Sequence, residues 1–599
     1  MIEIKYRPEI DGLRAVAILP VILFHAGLPF FKGGFVGVDV FFVISGFLIT
    51  SIILSELRNN RFSVLQFYER RARRILPALF VVMLVSSVAG YFWLLPDEFE
   101  NFGQSLLATA LSANNVLLAL TTGYWDLAAE FKPLLHTWSL GVEEQYYVIF
   151  PVIAFLLWRS ARNGFGLAVG VMAIVSLAAA QWAVNHYPVG NFYGLPTRAW
   201  ELFAGSLCAI YLPALFSRQV NKNAKQALGI VGLGLIAVSI ITFSGNTPNP
   251  SFYTVLPVLG TVLIILFADP DTLVNKMLSH PGAVAIGLIS YSAYLWHNPI
   301  LTFARVISKE KPAGLEVAAL VPVIFLLAYL TWEFVEKPFR DRRWLRRNTI
   351  FALAAAGVVV ASVVGLQLHR GNGMPSRFYG DEVAAGGSLH ISYNERVFEY
   401  KKDTFASNLP GQKKLLVLGQ SFARDIVNAL HEQFGRDAAN LVYRDDSSPC
   451  LKSFPSPLNT LFADSEVVIY AFDYLPDQCV AENIAEAKAQ GKSIFYFGSK
   501  DFGINLNWLA WLPHDQWSSQ QNNLTPQIIE TERQFKALVP AENYISVLDG
   551  LSGDGRISIT DEQGRLLSVD RRHVTRYGAI AIGKKVLKSS ALAKLMQGN

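Results

Sequence analysis

Arg14 and His25 stand eleven residues apart in one apolar run, and Asp39 lies early in the next. A charge inside hydrocarbon costs at least about 2.5–3.5 kcal/mol on insertion scales, so such residues usually face a cavity and serve it. An imidazole there suits proton transfer or nucleophilic attack, because its pKa lies near neutrality. Eleven residues at 1.5 Å each cover about 16 Å of helix, which puts Arg14 near one membrane face and His25 at mid-membrane or beyond. Glu143 and Glu144 interrupt the apolar TWSLGVEEQYYVIF. At least one must face the interior, where it would orient His25 or pair with an arginine such as Arg198. Glu201, three residues after Arg198, is a rival partner. Plainer accounts stand beside these: Arg14 snorkels, His25 bonds a neighbouring helix, and Asp39 caps its own helix at the interface.

Two further groupings carry chemistry. In ERRARRILP, Arg71 and Arg74, or Arg70 and Arg73, are three apart and share a helix face. Paired guanidinium forks suit phosphate oxygens, although basic residues at a cytoplasmic helix end are also the ordinary topology signal. Much later, VLGQSFARDIVNAL reads as strand, tight turn and helix. Ser421 opens that helix, where free N–H groups favour negative charge and supply part of an oxyanion site. In SVDRRHVTRYGA, Asp570 precedes His573 by three residues, a spacing that lets the carboxylate hold an imidazole that activates a serine.

The elements that must position these residues follow from the composition. The chain has 599 residues, 52% hydrophobic and 17% charged, below the quarter or so usual for soluble domains, as membrane spans diluting a soluble domain would give. The net charge of +5 is slight and does not point to nucleic acid. Runs long enough to span lie near 10–30, 36–55, 75–95, 137–158, 165–185, 198–216, 228–245, 252–268, 285–307, 315–335 and 349–368. The first run continues into a second, as in an uncleaved first span. The stretch 102–120 is broken by Gln104, Ser105, Asn114 and Asn115. If it does not cross, the arginines at 58–74, 159–162 and 340–347 and the basic residues at 218–225 all fall on the side of the N-terminus. Eleven spans with a cytoplasmic N-terminus is therefore the expectation, and everything after about residue 370 is exported.

After a Gly-rich linker, the exported region reads as short apolar strands (413–419, 465–472, 492–498) alternating with helical stretches, the pattern of a parallel sheet flanked by helices. Cys208, in a span, reads as a small buried hydrophobe. Cys450 and Cys479 fall in the exported region, where a disulfide is permitted.

The motifs also carry a resemblance. Arg14 with His25, GGFVGVDVFFVISGFLIT, ERRARRILP, LLHTWSLGVEEQYYVIFP, PTRAWELFAG, ISYSAYLWHNPI and FVEKPFR occur in this order across residues 6–345. Together they resemble the acyltransferase-3 membrane family. The resemblance implies a catalytic role for His25 and Arg14, and acetyl-coenzyme A as donor, held near Arg71 and Arg74. It also makes His297 a supporting residue. The C-terminal region resembles the SGNH hydrolase and esterase family often fused to it, which implies Ser421 as nucleophile, His573 as base and Asp570 as its orienting partner. Two departures stand out: Gly-Gln-Ser replaces Gly-Asp-Ser at 419–421, and Asp473 stands where an asparagine often follows the third strand. A carboxylate is a poor oxyanion donor unless protonated.

The expectation is thus a polytopic helical membrane domain of about eleven spans followed by an extracytoplasmic α/β SGNH-like domain. Its divisions are an acyltransferase domain over 1–345, a last helix over 346–370, a linker over 371–410 and an outer domain over 411–599. Residing in the lipid bilayer of a bacterial inner membrane, it would O-acetylate a surface or secreted glycan such as lipopolysaccharide O-antigen or exopolysaccharide, without a metal. A transporter with an outer glycan-binding domain and a membrane-anchored esterase are the rival readings.

Overall fold

The computed structural model describes residues 6–121, 129–160, 164–216, 220–378, 391–407, 412–446, 450–453, 456–472, 475 and 477–596. Asp473 lies outside the described residues. The chain forms two compact units, one built from 1–91, 100–304 and 312–370, the other from 92–99, 305–311 and 371–599.

The first unit is helical. Its helices are α1 (Pro8–His25), α2 (Gly37–Arg58), α3 (Val64–Trp93), α4 (Pro96–Ala110), α5 (Asn114–Thr121), α6 (Thr137–Ser160), α7 (Phe165–His186), α8 (Pro188–Tyr193) and α9 (Leu195–Phe216). They continue as α10 (Lys222–Thr242), α11 (Val255–Phe267), α12 (Leu273–Leu278), α13 (Pro281–Leu288), α14 (Ser290–Ile307), α15 (Leu315–Thr331), α16 (Lys337–Arg340) and α17 (Arg347–Arg370). Among the described residues, seven helical segments are long and apolar enough to cross a membrane: 34–58, 64–93, 137–159, 165–186, 222–242, 315–340 and 347–370.

The other four expected spans fall on helices that are charged, short or broken. Helix α1 holds Glu9, Asp11, Arg14 and His25, and α9 holds Arg198 and Glu201. Helix α11 has 13 residues, and the run 285–307 is divided between α13 and α14. The stretch 102–120 is not one run either. Helix α4 stops at Ala110 and α5 starts at Asn114, with Ser112 between them at φ 55°, and neither reaches the ~20 residues a crossing needs.

Close helix approach is bought with glycine. A Cβ on Gly46 of α2 would sit 1.9 Å from Leu202 O of α9, and one on Gly205 of α9 would sit 1.9 Å from Val43 O of α2. Such small residues let backbones touch where lipid offers no hydrophobic drive for packing.

The second unit holds a five-stranded parallel sheet, β1 (Lys414–Leu418), β2 (Asn440–Arg444), β3 (Val467–Tyr470), β4 (Ser493–Phe497) and β6 (Tyr544–Ile545), in the order β2-β1-β3-β4-β6. Strand β1 pairs Leu415 with Leu441 on one side and with Val467 on the other. Its four buried residues fit a strand covered on both faces. A small antiparallel sheet, β5 (Gln521–Asn523), β7 (Ser552–Gly553) and β8 (Arg556–Ser558), stands apart in the order β5-β8-β7. Val397, in the stretch expected as linker, is fully buried in the core with Val417 and Leu430. Cys450 and Cys479 are bonded, with Cα atoms 5.1 Å apart; Cys208 is buried and unbonded.

Candidate functional site

In the helical unit, a cavity is lined by Arg14, Arg71, Arg74, Glu143, Tyr147 and Ser139, among others. The arginines of ERRARR divide cleanly. Arg70 pairs with Glu56 at 2.8 Å, and Arg73 with Glu69 at 3.0 Å. Arg73 also donates to Phe339 O and Leu345 O. Arg71 and Arg74 line the cavity instead, so the two pairs that share spacing differ in place. The Arg71 guanidinium lies over the Tyr147 ring, 5.4 Å from its centre. Tyr147 in turn donates to Glu143 Oε2 at 3.2 Å and meets Ser45 Oγ. Arg14 donates to Asp11 Oδ1 at 2.9 Å.

His25 ends α1. Its Nδ1 lies 2.8 Å from the Val21 carbonyl one turn back. A carbonyl can only accept, so Nδ1 carries a proton, and in the neutral ring Nε2 is the nitrogen with the lone pair. The His25 and His297 ring centres are 5.0 Å apart, and those of His297 and His136 are 5.3 Å apart. Tyr294 donates to the His136 carbonyl and bonds Ser139 at 2.6 Å, which ties the histidine group to the cavity wall.

Two expectations are corrected. Neither Glu143 nor Glu144 pairs with Arg198, whose Nη1 donates to Asp39 Oδ1 at 2.8 Å and Glu201 Oε1 at 3.0 Å. Glu143 faces the cavity, and Glu144 Oε1 is buried without a hydrogen-bond partner among the described residues. Nor does Asp39 cap its helix at an interface. It is 1% exposed, and the residue capping α2 is Val36. Asp39 and Arg198 come from helices 159 residues apart in sequence, so the pairing is a tertiary fact that local spacing does not encode.

In the second unit, Ser421 follows β1 and opens the helix Ser421–Phe434. Gly419 makes the turn possible: its φ is +136°, and a Cβ there would lie 2.2 Å from Ala471 O. Ser421 Oγ is buried without a hydrogen-bond partner among the described residues. The sheet order places this turn between β1 and β3, where the strand order reverses and ligands collect in such sheets. Asp570 Oδ2 lies 2.6 Å from His573 Nδ1, while Oδ1 accepts the amides of Arg572 and His573 at 2.6 and 2.7 Å. The carboxylate is thereby fixed, and it fixes the imidazole. Asp425, one turn beyond Ser421, accepts from the Val574 amide at 3.4 Å, bringing the two distant motifs together. Among the described residues no cluster suited to a metal ion is found.

Sequence reasoning does not single out His136, Tyr147 or Tyr294. His136 carries the same signal as His25, a titratable residue at the edge of an apolar run. Lys500 carries none: a lone lysine in a polar loop reads as surface, yet its side chain is 1% exposed. Burial lowers its pKa, and Asp425 opposes the shift.

The geometry therefore defines a membrane helical unit with a cationic cavity beside a histidine group, joined in one chain to an α/β unit with a buried serine and an Asp–His pair. Residues 7–333 match the acyltransferase domain of the acyltransferase-3 family, more than half of the chain, and the chain belongs to that family. The chain is similar to the peptidoglycan O-acetyltransferase OatA of Listeria monocytogenes, 32% identical over 355 residues, 57% of each chain. It is likewise similar to the O-acetyltransferase OatA of Staphylococcus aureus, 32% identical over 356 residues, 56% of this chain and 58% of the relative. The chain thus spans less than three-fifths of the curated relatives it matches. No solved structure matches.

Proposed function

We propose that this chain is a membrane O-acetyltransferase that draws acetyl groups from cytosolic acetyl-coenzyme A and delivers them to hydroxyls of a glycan outside the membrane. The observation that carries the reading is the convergence of Arg14, Arg71 and Arg74 on one cavity whose wall is tied to the His25–His297–His136 group. Among the described residues, two of the three guanidinium groups are not engaged by carboxylates there, and they suit the phosphates of the donor. In the neutral His25 ring, with Nδ1–H donating to Val21 O, Nε2 attacks the thioester carbonyl as nucleophile. The C–S bond breaks, and the coenzyme leaves as the thiol with the proton that the acylated ring gives up from Nδ1. Acting instead as base, Nε2 takes the proton of the acyl acceptor that attacks that carbonyl and passes it to the leaving thiolate. Outside, Ser421 Oγ gives its proton to His573 and attacks the acetyl carbonyl to form an ester. The bond to the group that carried the acetyl breaks, and that group leaves with the proton from His573. A sugar hydroxyl then attacks that ester, with His573 accepting its proton and returning one to Ser421, and Asp570 holding the ring.

This reading keeps the division into an acyltransferase domain over 1–345, a last helix over 346–370, a linker and an SGNH-type outer domain. It also keeps eleven crossings, an inner-membrane location and a cytoplasmic N-terminus. The relatives' names make peptidoglycan the first acceptor to test, ahead of lipopolysaccharide or exopolysaccharide. Measuring O-acetyl groups on surface glycan in cells expressing His25→Ala or Ser421→Ala tests the scheme. Loss of at least tenfold in both is expected. Wild-type levels with His25→Ala would remove the membrane step and leave an anchored esterase. An absence of acetyl-coenzyme A consumption by the wild type would favour a transporter.

A further inference from the structure

Lys500 lies in the loop after β4, enclosed almost completely, and no step above uses it. Its Nζ is 3.0 Å from Asp425 Oδ2, a carboxylate with no exposure, and 3.4 Å from the centre of the Phe422 ring. Phe422 and Asp425 are the second and fifth residues of the helix that Ser421 opens. Asp425 Oδ2 also accepts from the amide of Val574, the residue after His573. The loop's next residues grip the other motif. Asp501 Oδ2 accepts from Arg571 Nε at 2.6 Å, and the Phe502 amide donates to Arg571 O at 2.8 Å. One loop thus holds the serine helix through Lys500 and the Asp570–His573 loop through its neighbours.

An ion pair this deep is a weak source of stability, because burial strips both charges of water. What it supplies is placement, since an ammonium enclosed between a ring face and a carboxylate of one helical turn ties that turn to the loop of Lys500. We propose that Lys500 is a positioning residue for Ser421, holding the first turn of its helix in register with the loop of Asp570 and His573 through Asp425 and Phe422. The proposal rests on Ser421 being the nucleophile, and the test separates the two claims.

The full-length protein in detergent is given p-nitrophenyl acetate as acetyl donor, and kcat and KM for nitrophenolate release are measured. Ser421→Ala tests the underlying reading. If it retains wild-type turnover, Ser421 is not the nucleophile and the positioning claim falls with it. Lys500→Met alone would leave the Asp425 carboxylate buried and unpaired, so the informative variant is Lys500→Met with Asp425→Asn. This double variant removes both charges and keeps an acceptor for the Val574 amide. With Ser421→Ala inactive, a drop in kcat of at least tenfold at unchanged KM and an unchanged melting transition supports the proposal. Wild-type kcat, or a change in KM alone, overturns it while leaving Ser421 in place. Should the double variant lose its melting transition, Lys500→Arg decides: kcat within threefold of wild type supports the positioning role of the charge, and a loss as deep as that of Ser421→Ala overturns it.

Discussion

The arginines of the helical unit divide by what they hold. Arg198 lies between two carboxylates, Asp39 and Glu201, under the rings of Trp138 and Phe192, and is 1% exposed. Removing it would leave two buried carboxyl groups without their cation, and breaking a buried pair costs about 3–5 kcal/mol. Arg71 holds no carboxylate among the described residues and faces the cavity over Tyr147. Arg198→Met is therefore expected to lower the melting temperature sharply and reduce the recovery of folded protein in detergent. Arg71→Met should melt like the wild type and raise KM for acetyl-coenzyme A about tenfold to a hundredfold, the effect of losing one charge-assisted contact. Equal melting temperatures for the two would undo the division. The sequence supplied both arginines but not their sorting: Arg70 with Arg73 and Arg71 with Arg74 have identical helical spacing, and only the positions of Glu56 and Glu69 separate them. His25 was readable because a histidine in an apolar run is conspicuous. Lys500 was not, because its burial depends on Phe422 and Asp425, some 75 residues earlier.

At the scale of elements, the helices that miss a simple hydropathy measure are informative. Charges in α1 and α9 lower their apolar character: Arg14, paired with Asp11, lines the cavity, while Glu9 pairs with Arg7, and Arg198 and Glu201 form a buried cluster with Asp39. The break in 102–120 was legible from Asn114 and Asn115, both buried, with Asn114 bonding Leu134 O and Thr137. The role of the segment 92–99 in the second unit was not legible, since it depends on Leu95 N meeting Asn507 Oδ1. That segment gives a pH prediction. Burial pushes the Glu98 carboxyl up to about 8, with Asp97 and Asp570 adding to the shift and a hydrogen bond from Asn507 opposing it. In the unfolded chain it titrates near about 4.3. Between these values the folded form keeps a proton that the unfolded form has lost, so stability falls as pH rises from about 4.3 to 8 and this slope ends above 8. Urea midpoints of the full-length protein in detergent should therefore drop over that window. Glu98→Gln should flatten the slope; an unchanged slope would show that Glu98 does not set it.

For the whole molecule the proposal is directional: it takes the donor from the cytosol and the acceptor from outside. The seven long apolar helices are odd in number. Adding the four charged, short or broken helices would add an even number of crossings, so by either count among the described residues the proposal puts the two ends of the helical unit on opposite sides. Only the count of eleven puts the basic residues around 58–74, 159–162 and 340–347 on the side of the N-terminus, as the positive-inside bias requires; seven crossings alone would put the groups after 58 and after 159 on the far side. The native thiols do not interfere with a labelling test, since Cys450 and Cys479 are bonded and Cys208 is buried. A single cysteine placed at the exposed Asp515 should react with a membrane-impermeant maleimide in intact cells, or in spheroplasts where an outer membrane is present. One at the exposed Asn59 should react only after the membrane is opened. The reverse pattern would put Ser421 and His573 in the cytosol with the donor, and the transfer would then need no membrane crossing at all.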